Sequence, residues 1–414
     1  MTRTKQQRES SANFSFVAHS DQGGRPDGVQ VIVHKGYAYV GHMFNDGFSV
    51  IDVRDPRKPS TVAYVPMPQN TRSHHLQVAD DLLLVINGPS IWTLAQFHDQ
   101  SRYFANTLTN SFLNSELRFS AGIRIYDIKT PSEPREIAFF SIPGLGVNRI
   151  WWIGGRYAYV AAHMEGYTDH IMAVVDLANP RQPTIVSQWW LPGQWTGGGE
   201  QSQVPQGKRH AAHHAIVTGS LAFGAWRDGG ITIHDISDLA QPKMVSHLNW
   251  CPPFAGGTHT ALPLPDRNLL VVADEATTMD CANGVPRIWI VDVRTPHHPV
   301  PISTCPVPSE ENYCRKGGKF GPHNLHENRP GSFQSSDLIF ATYLNAGLRV
   351  YDIRDPFRPL EAGHYVPGDP QEMVDPRPGV PAVVQSGDLF VDSEGLVYLT
   401  DPNAGLHILQ FEGR

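Results

Sequence analysis

The sequence is poor in the features that announce the common enzyme and membrane classes. Only four cysteines stand in 414 residues, at 251, 281, 305 and 314, and no two form a Cys-x-x-Cys pair. That usage suits free thiols in a reducing compartment. Charge is sparse: Asp, Glu, Lys and Arg make up 18% of the chain, with a net charge of −7. Such a balance leaves no electrostatic footprint for nucleic acid or an anionic membrane surface. No apolar run is long enough to cross a bilayer, and the opening MTRTKQQRESSA lacks the apolar segment of a secretory leader. The expectation is a cytoplasmic protein without nucleic-acid or membrane partners. GxSxG, HExxH and the dinucleotide fingerprint are missing, and the GGG run at 197–199 does not open a helix with Lys-Ser/Thr, so it is no phosphate loop.

What the chain has is turns and repetition. Gly numbers 37 and Pro 34. An apolar strand ending in Asp, followed by a Pro-rich turn, recurs at VIDVRDPRKP (Asp52), IYDIKTPSEP (Asp127), VVDLANPRQP (Asp176), IHDISDLAQP (Asp235), IVDVRTPHHP (Asp292) and VYDIRDPFRP (Asp352). GLHILQ holds the seventh place with Gln410. The units recur at intervals of roughly 50 to 75 residues, the range of solenoids, propellers and arrays. Each unit carries four short alternating strands, the sequence form of a propeller blade. The last unit stops at its third strand, while FSFVAH near the N-terminus reads like a fourth. The expected fold is all-β: a seven-bladed β-propeller of four antiparallel strands per blade, closed by an N-terminal strand that removes two free edges. Residues 1–12 are expected as a disordered tail, 13–414 as one propeller domain, and 88–121 as a cap insertion with a short helix. These units resemble the LVIVD repeat, a bacterial β-propeller repeat, and the resemblance implies the same fold.

Aligned by blade, the innermost strands start at Val29, His74, Arg149, His213, His259, His323 and Gly387. Of the 20 histidines, four therefore share one register near the ring axis. Four cations cannot sit together there, whereas neutral imidazoles around one cation can. His74, His213, His259 and His323 are the expected ligands of a divalent transition metal (Fe, Cu, Zn or Mn). Strand alternation sends one member of each doublet, His74–His75 and His213–His214, to the channel and the other into the sheet interface; His75 and His214 are the register alternates, with His326 as a third. Glu275 is the candidate carboxylate that orients a ligand imidazole. Arg149 and Arg227 are candidates to hold a substrate carboxylate, and Tyr343 or His163 to transfer a proton. The long segments Asn87–Gly122, Gln194–Arg209 and Pro306–Pro322 are expected to wall a pocket on this face, with Trp92, Tyr103, Trp190 and Trp195 as candidate lining. For Cys281 and Cys314 the expectation is free thiols.

The functional expectation is a metal-dependent enzyme on a small organic substrate, an oxidoreductase or oxygenase ahead of a lyase or isomerase acting on a carboxylate. The rival is a non-catalytic scaffold. Four histidines around one ion would resemble, in arrangement alone, the iron site of carotenoid cleavage oxygenases. SHHLQV and VYDIRDPFRP are similar to features of selenium-binding proteins of the methanethiol oxidase type, though the cysteine motif of those proteins is missing after His75. Seven-bladed oligogalacturonate lyases supply the analogy for elimination.

Overall fold

The computed structural model describes residues 9–95, 98, 100–104 and 118–413. Every sheet is antiparallel, and the strands follow the sequence units. In the first unit, Gly28–His34, Tyr37–His42, Gly47–Asp52 and Ser60–Pro66 form one four-stranded meander. The third unit repeats it with Gly146–Trp151, Tyr157–His163, His170–Asp176 and Thr184–Trp189. The fourth and fifth units are joined into one eight-stranded sheet by a single pair, Arg227 with Thr258. Phe14–Ser20 pairs with Gly405–Phe411, so the N-terminal strand supplies what the last unit lacks.

Two features of the sixth unit differ from expectation. Its first strand is reduced to isolated bridges, Phe320 with Leu344 and Leu325 with Ala341. Its outer edge carries Ser10–Ala12, paired with Leu360–Val366. These three residues were expected in a disordered tail; backbone pairing to an otherwise open edge orders them instead. In the cap, Gln100–Phe104 is helical; most of the remaining stretch lies outside the described residues.

The core lies between neighbouring sheets. Six apolar clusters each bridge consecutive units, and one of them packs Tyr398, Leu406 and Ile408 of the last unit against Val31, Phe48 and Ile51 of the first and Leu83 of the second. Burial is graded across each sheet: Leu269–Asp274, a second strand, is buried throughout, while the outer strand Lys243–Leu248 is largely exposed.

The repeated Asp has one local task. In all six complete copies its Oδ1 accepts the backbone amide two residues on: Arg54, Lys129, Ala178, Ser237, Arg294 and Arg354, at 2.8–3.1 Å. Such a turn caps the strand without glycine. All six pKa values are lowered: chiefly by the side chain of Arg54, Arg156, Arg294 or Arg354 at Asp52, Asp176, Asp292 and Asp352, with the amide adding, and chiefly by the amide at Asp127 and Asp235.

Stability should therefore fall in two stages on acidification. His170, His234 and His407 are held by burial at about 4, 4 and 3. Below pH ~6.5 the unfolded chain binds protons that these folded imidazoles do not, so their contribution is lost first. The turn aspartates follow below pH ~4, as the unfolded carboxylates protonate. Urea unfolding from pH 8 to 3 checks this; a midpoint unchanged down to pH 4 contradicts it.

Candidate functional site

Four inner strands lose their regular register where the site residue stands, while Asp388 of the last unit lines the cavity from a regular strand. The pairing slips between Thr258 and Thr260, at His259; between Val147 and Arg149; between His210 and His214; and between Gly28 and Val31. In the second unit the strand breaks outright between Thr71–Arg72 and Leu76–Ala79, where His74 and His75 sit. A bulge re-aims side chains that strict alternation would send to opposite faces. The expectation that one histidine of a doublet leaves the channel is thereby corrected for His74–His75, whereas of His213–His214 only His213 lines the cavity and His214 packs against Trp151. His74 and His75 line the same central cavity, of about 90 Å³, together with His213, His259, His323, Arg149, Arg227 and Glu275.

Three imidazoles lie against one another in succession, tilted by 31° and 42°: His213 and His259, with ring centroids 3.6 Å apart, and His259 and His323 at 4.4 Å. His213 Nδ1–H donates to the His259 carbonyl at 2.7 Å, and His323 Nδ1–H to the Gly387 carbonyl. A carbonyl only accepts, so both rings carry the proton on Nδ1 and keep a lone pair on Nε2. One ligand atom each from His259, Glu275 and His323 lies within 4.8 Å of the other two, among the described residues a group able to hold a metal ion. His74 lines the cavity outside this tight group. Burial, reinforced by nearby arginines and histidines, holds His74, His213 and His259 well below the ordinary imidazole range, and His323 at about 4 with Glu275 opposing.

Glu275 stands at the centre rather than behind a ligand. Its carboxylate is 3.8 Å from His259 Nε2 and 4.0 Å from His323 Nε2; the Gly387 carbonyl orients the His323 ring, and the Thr260 hydroxyl lies 3.3 Å from His259 Nδ1. Burial alone would raise its pKa, but Arg227, Lys319 and His323 outweigh burial and hold it at about 2. Arg227 Nη1 donates to Glu275 Oε2, while Arg149 donates to Glu327 at 2.9 Å and to Asn324 at 2.8 Å. Both arginines line the cavity and are each paired with a carboxylate of the protein. Below them, His214 Nε2 lies 3.6 Å from Glu327 and its ring 6.5 Å from that of His75.

Three expected residues stand elsewhere. Tyr343 is 1% exposed in the apolar core, against Phe320, while its neighbour Leu344 faces the cleft. His163 Nδ1 accepts the Leu145 amide at 3.2 Å beside His170, off the cavity lining. His326 uses both ring nitrogens on backbone groups, Phe333 O at 2.7 Å and Val391 N at 3.2 Å. Trp92 and Tyr103 do line the cavity, but Trp190 and Trp195 cluster with Tyr167 and are absent from its lining. Cys281 and Cys314 are joined in a disulfide that ties the turns Met279–Cys281 and Tyr313–Arg315. The free-thiol expectation is corrected, and the cytoplasmic expectation loses that support.

Sequence reading missed four groups. Asp388 follows Gly387 as His75 follows His74, and it lines the same cavity; burial, with Glu327 adding and Arg149 opposing, raises it to about 8. Lys319 stands four residues before His323, in a segment read only as a wall. Arg377 belongs to a connection between units that carried no motif. Tyr103 was read as lining, yet Arg72 and Arg209 reach its hydroxyl. Burial would raise its pKa, but Arg209, Arg72 and Arg227 outweigh burial and lower it.

The LVIVD repeat family model matches residues 27–65, 148–189 and 211–249. The chain carries LVIVD repeats. No curated protein is similar to it in sequence. Among solved structures, the LVIVD-repeat chain is similar to the β-propeller domain of Myceliophteria thermophila Cps50 (Swd1), with TM-score 0.55, 10% identity and coverage of 93% of this chain and 96% of that one. It is similar to the WD40 propeller domain of Doa1 (TM-score 0.53, 9% identity, 96% of each chain). It is also similar to the Pseudomonas aeruginosa periplasmic gluconolactonase PpgL (TM-score 0.52, 13% identity, 88% and 90%). At these identities the likeness is one of fold, and the fold is a β-propeller.

Removing Arg227 should leave Glu275 buried without its strongest partner. Arg227→Met is expected to cost about 3–5 kcal/mol, the range for breaking a buried pair. Arg227→Met with Glu275→Leu should recover most of that loss. Urea unfolding of both variants checks the pair; a double variant as unstable as the single contradicts it.

Proposed function

We propose that the LVIVD repeats form a seven-bladed ring whose axis holds a divalent transition metal, and that the protein is an enzyme on a small organic substrate. The observation that carries the reading is the meeting of His259, Glu275 and His323 from two units, with ligand atoms within 4.8 Å and the His213 ring against that of His259. The donor set fits the ion: imidazoles kept neutral by burial, two with Nε2 lone pairs by tautomer, and one ionised carboxylate. Ring closure is supported by the pairing of Phe14–Ser20 with Gly405–Phe411 and by contact between the first strands of the last and first units.

Bound there, Fe, Cu, Zn or Mn supplies Lewis-acid polarisation, and Fe or Cu also electron transfer. The protein's own residues supply the proton chemistry. Tyr103, its phenol favoured toward ionisation by three arginines, replaces Tyr343 and His163 as the proton-transferring group. Asp388, at about 8, is protonated at neutral pH and stands ready to donate. Oxidation is the leading reaction class, in line with the echo of methanethiol oxidase-type motifs. The second reading, a lyase or isomerase, is favoured by this pair, whose environments push an acid up and a phenol down around one cavity.

Elemental analysis of the purified protein tests the site. About one Fe, Cu, Zn or Mn per chain is expected, lost in the His213→Ala/His259→Ala variant. A folded protein that stays metal-free after reconstitution with each metal overturns the enzyme reading in favour of a scaffold. Closure has its own test. Deleting residues 1–20 exposes the edge of Gly405–Phe411 and should lower the thermal midpoint and promote association; an unchanged midpoint and a monomeric profile oppose a closed ring.

A further inference from the structure

Outside the histidine cluster lies a second cavity of about 150 Å³, roughly the space that admits a benzene ring. It is continuous with the central one, since both are lined by Val29, Met43, Trp92, Phe104, Glu275 and His323. Its walls are apolar and partly aromatic, with Phe44, Leu344 and Pro381 completing them. Its lining carries Glu275, Asp375, Lys319 and Arg377, and Arg227 of the neighbouring central cavity adds a third cation against the two carboxylates. Asp375 binds Arg377 in a two-pronged pair, Nε to Oδ1 at 2.8 Å and Nη2 to Oδ2. Arg227 is the close partner of Glu275. Lys319 is the second cation on the Glu275 carboxylate: its Nζ forms an ion pair at 3.7 Å, longer than a hydrogen bond, and lies 4.4 Å from the centroid of the Phe104 ring. Its side chain is 12% exposed, so few waters can solvate the ammonium, and a cation that shares its one carboxylate with Arg227 is poorly compensated there. Arg377, against Phe44 and Trp92, adds a buried Nη1 without a hydrogen-bond partner.

We infer that this cavity binds a small monoanion with an apolar body, an aryl or branched-chain monocarboxylate, its ionised oxygens at Lys319 and its ring or chain among Phe104, Trp92 and Met43. One excess positive charge selects one negative charge, and the aromatic walls select the body. Such a ligand reaches from Lys319 toward Glu275 and His323, which puts its carboxylate end next to the histidine cluster. The assignment rests on the enzyme reading above for its biological meaning, but the binding itself needs no metal.

Calorimetric titration at pH 7 with phenylacetate, its neutral isostere phenylacetamide, and acetate tests the inference, on EDTA-treated and on metal-reconstituted protein. Phenylacetate is expected to bind in both preparations, with phenylacetamide and acetate each at least tenfold weaker. Lys319→Met should weaken phenylacetate at least tenfold and leave phenylacetamide unchanged. Met43→Trp, which fills the cavity and leaves its charges alone, should abolish binding of both ring compounds. Equal affinity for phenylacetate and phenylacetamide, equal affinity for acetate, or no heat from phenylacetate at millimolar concentration overturns the inference. Phenylacetate binding in a protein that takes up no metal upholds it while sinking the metal reading, and a metal-loaded protein that ignores phenylacetate does the reverse.

Discussion

The site exists because the inner strands give up their ladder at the same level. A regular strand points alternate side chains to opposite faces, so it can offer the centre only every second residue. The slips at Gly28–Val31, Val147–Arg149, His210–His214 and Thr258–Thr260, and the break at 73–75, release successive residues from that rule. The released backbone is then used again: the His259 carbonyl, inside a bulge, accepts from the His213 ring. Irregularity at one height in several strands is what turns a stack of sheets into a pocket of convergent side chains.

Electrostatics decides which state those side chains hold. The cluster is buried and surrounded by Arg72, Arg149, Arg227 and Lys319. Both burial and that positive field disfavour imidazolium, so the rings stay neutral and basic. Carboxylates are rationed by comparison. Glu275 and Glu327 are ionised partners of the arginines, while Asp388, with burial dominant and Glu327 nearby, keeps its proton at neutral pH. A cavity with neutral donors and one central carboxylate shared by Arg227 and Lys319 favours an electron-poor ion at the centre and an anion at the entrance.

Much of the site was legible in the chain, and the misses share a cause. The register that put histidines at 74, 213, 259 and 323 held because it depended on counting from strong apolar strands. All four line one cavity. Tyr343 failed because a second-strand end in this fold can turn into the core; its neighbour Leu344, at φ 49°, is the one that faces the cleft. Asp388 was passed over because alternation was assumed to hold at the doublets. Lys319 and Arg377 lie in connections without periodicity, where spacing carries no direction, and the Cys281–Cys314 bond joins two such connections across 33 residues.

By itself the sequence determined what short-range physics controls. Alternating apolar strands, the Asp that closes each turn through an amide two residues on, and the recurrence of that unit specify antiparallel sheets and their order. Tertiary structure alone decided other pairings that span the chain: Ser10–Ala12 on Leu360–Val366, and Arg149 on Glu327. It also decided which of two adjacent histidines meets which neighbour. Those outcomes depend on bulges and on burial, which arise only when several units press on a common centre and no local pattern encodes the distance between them.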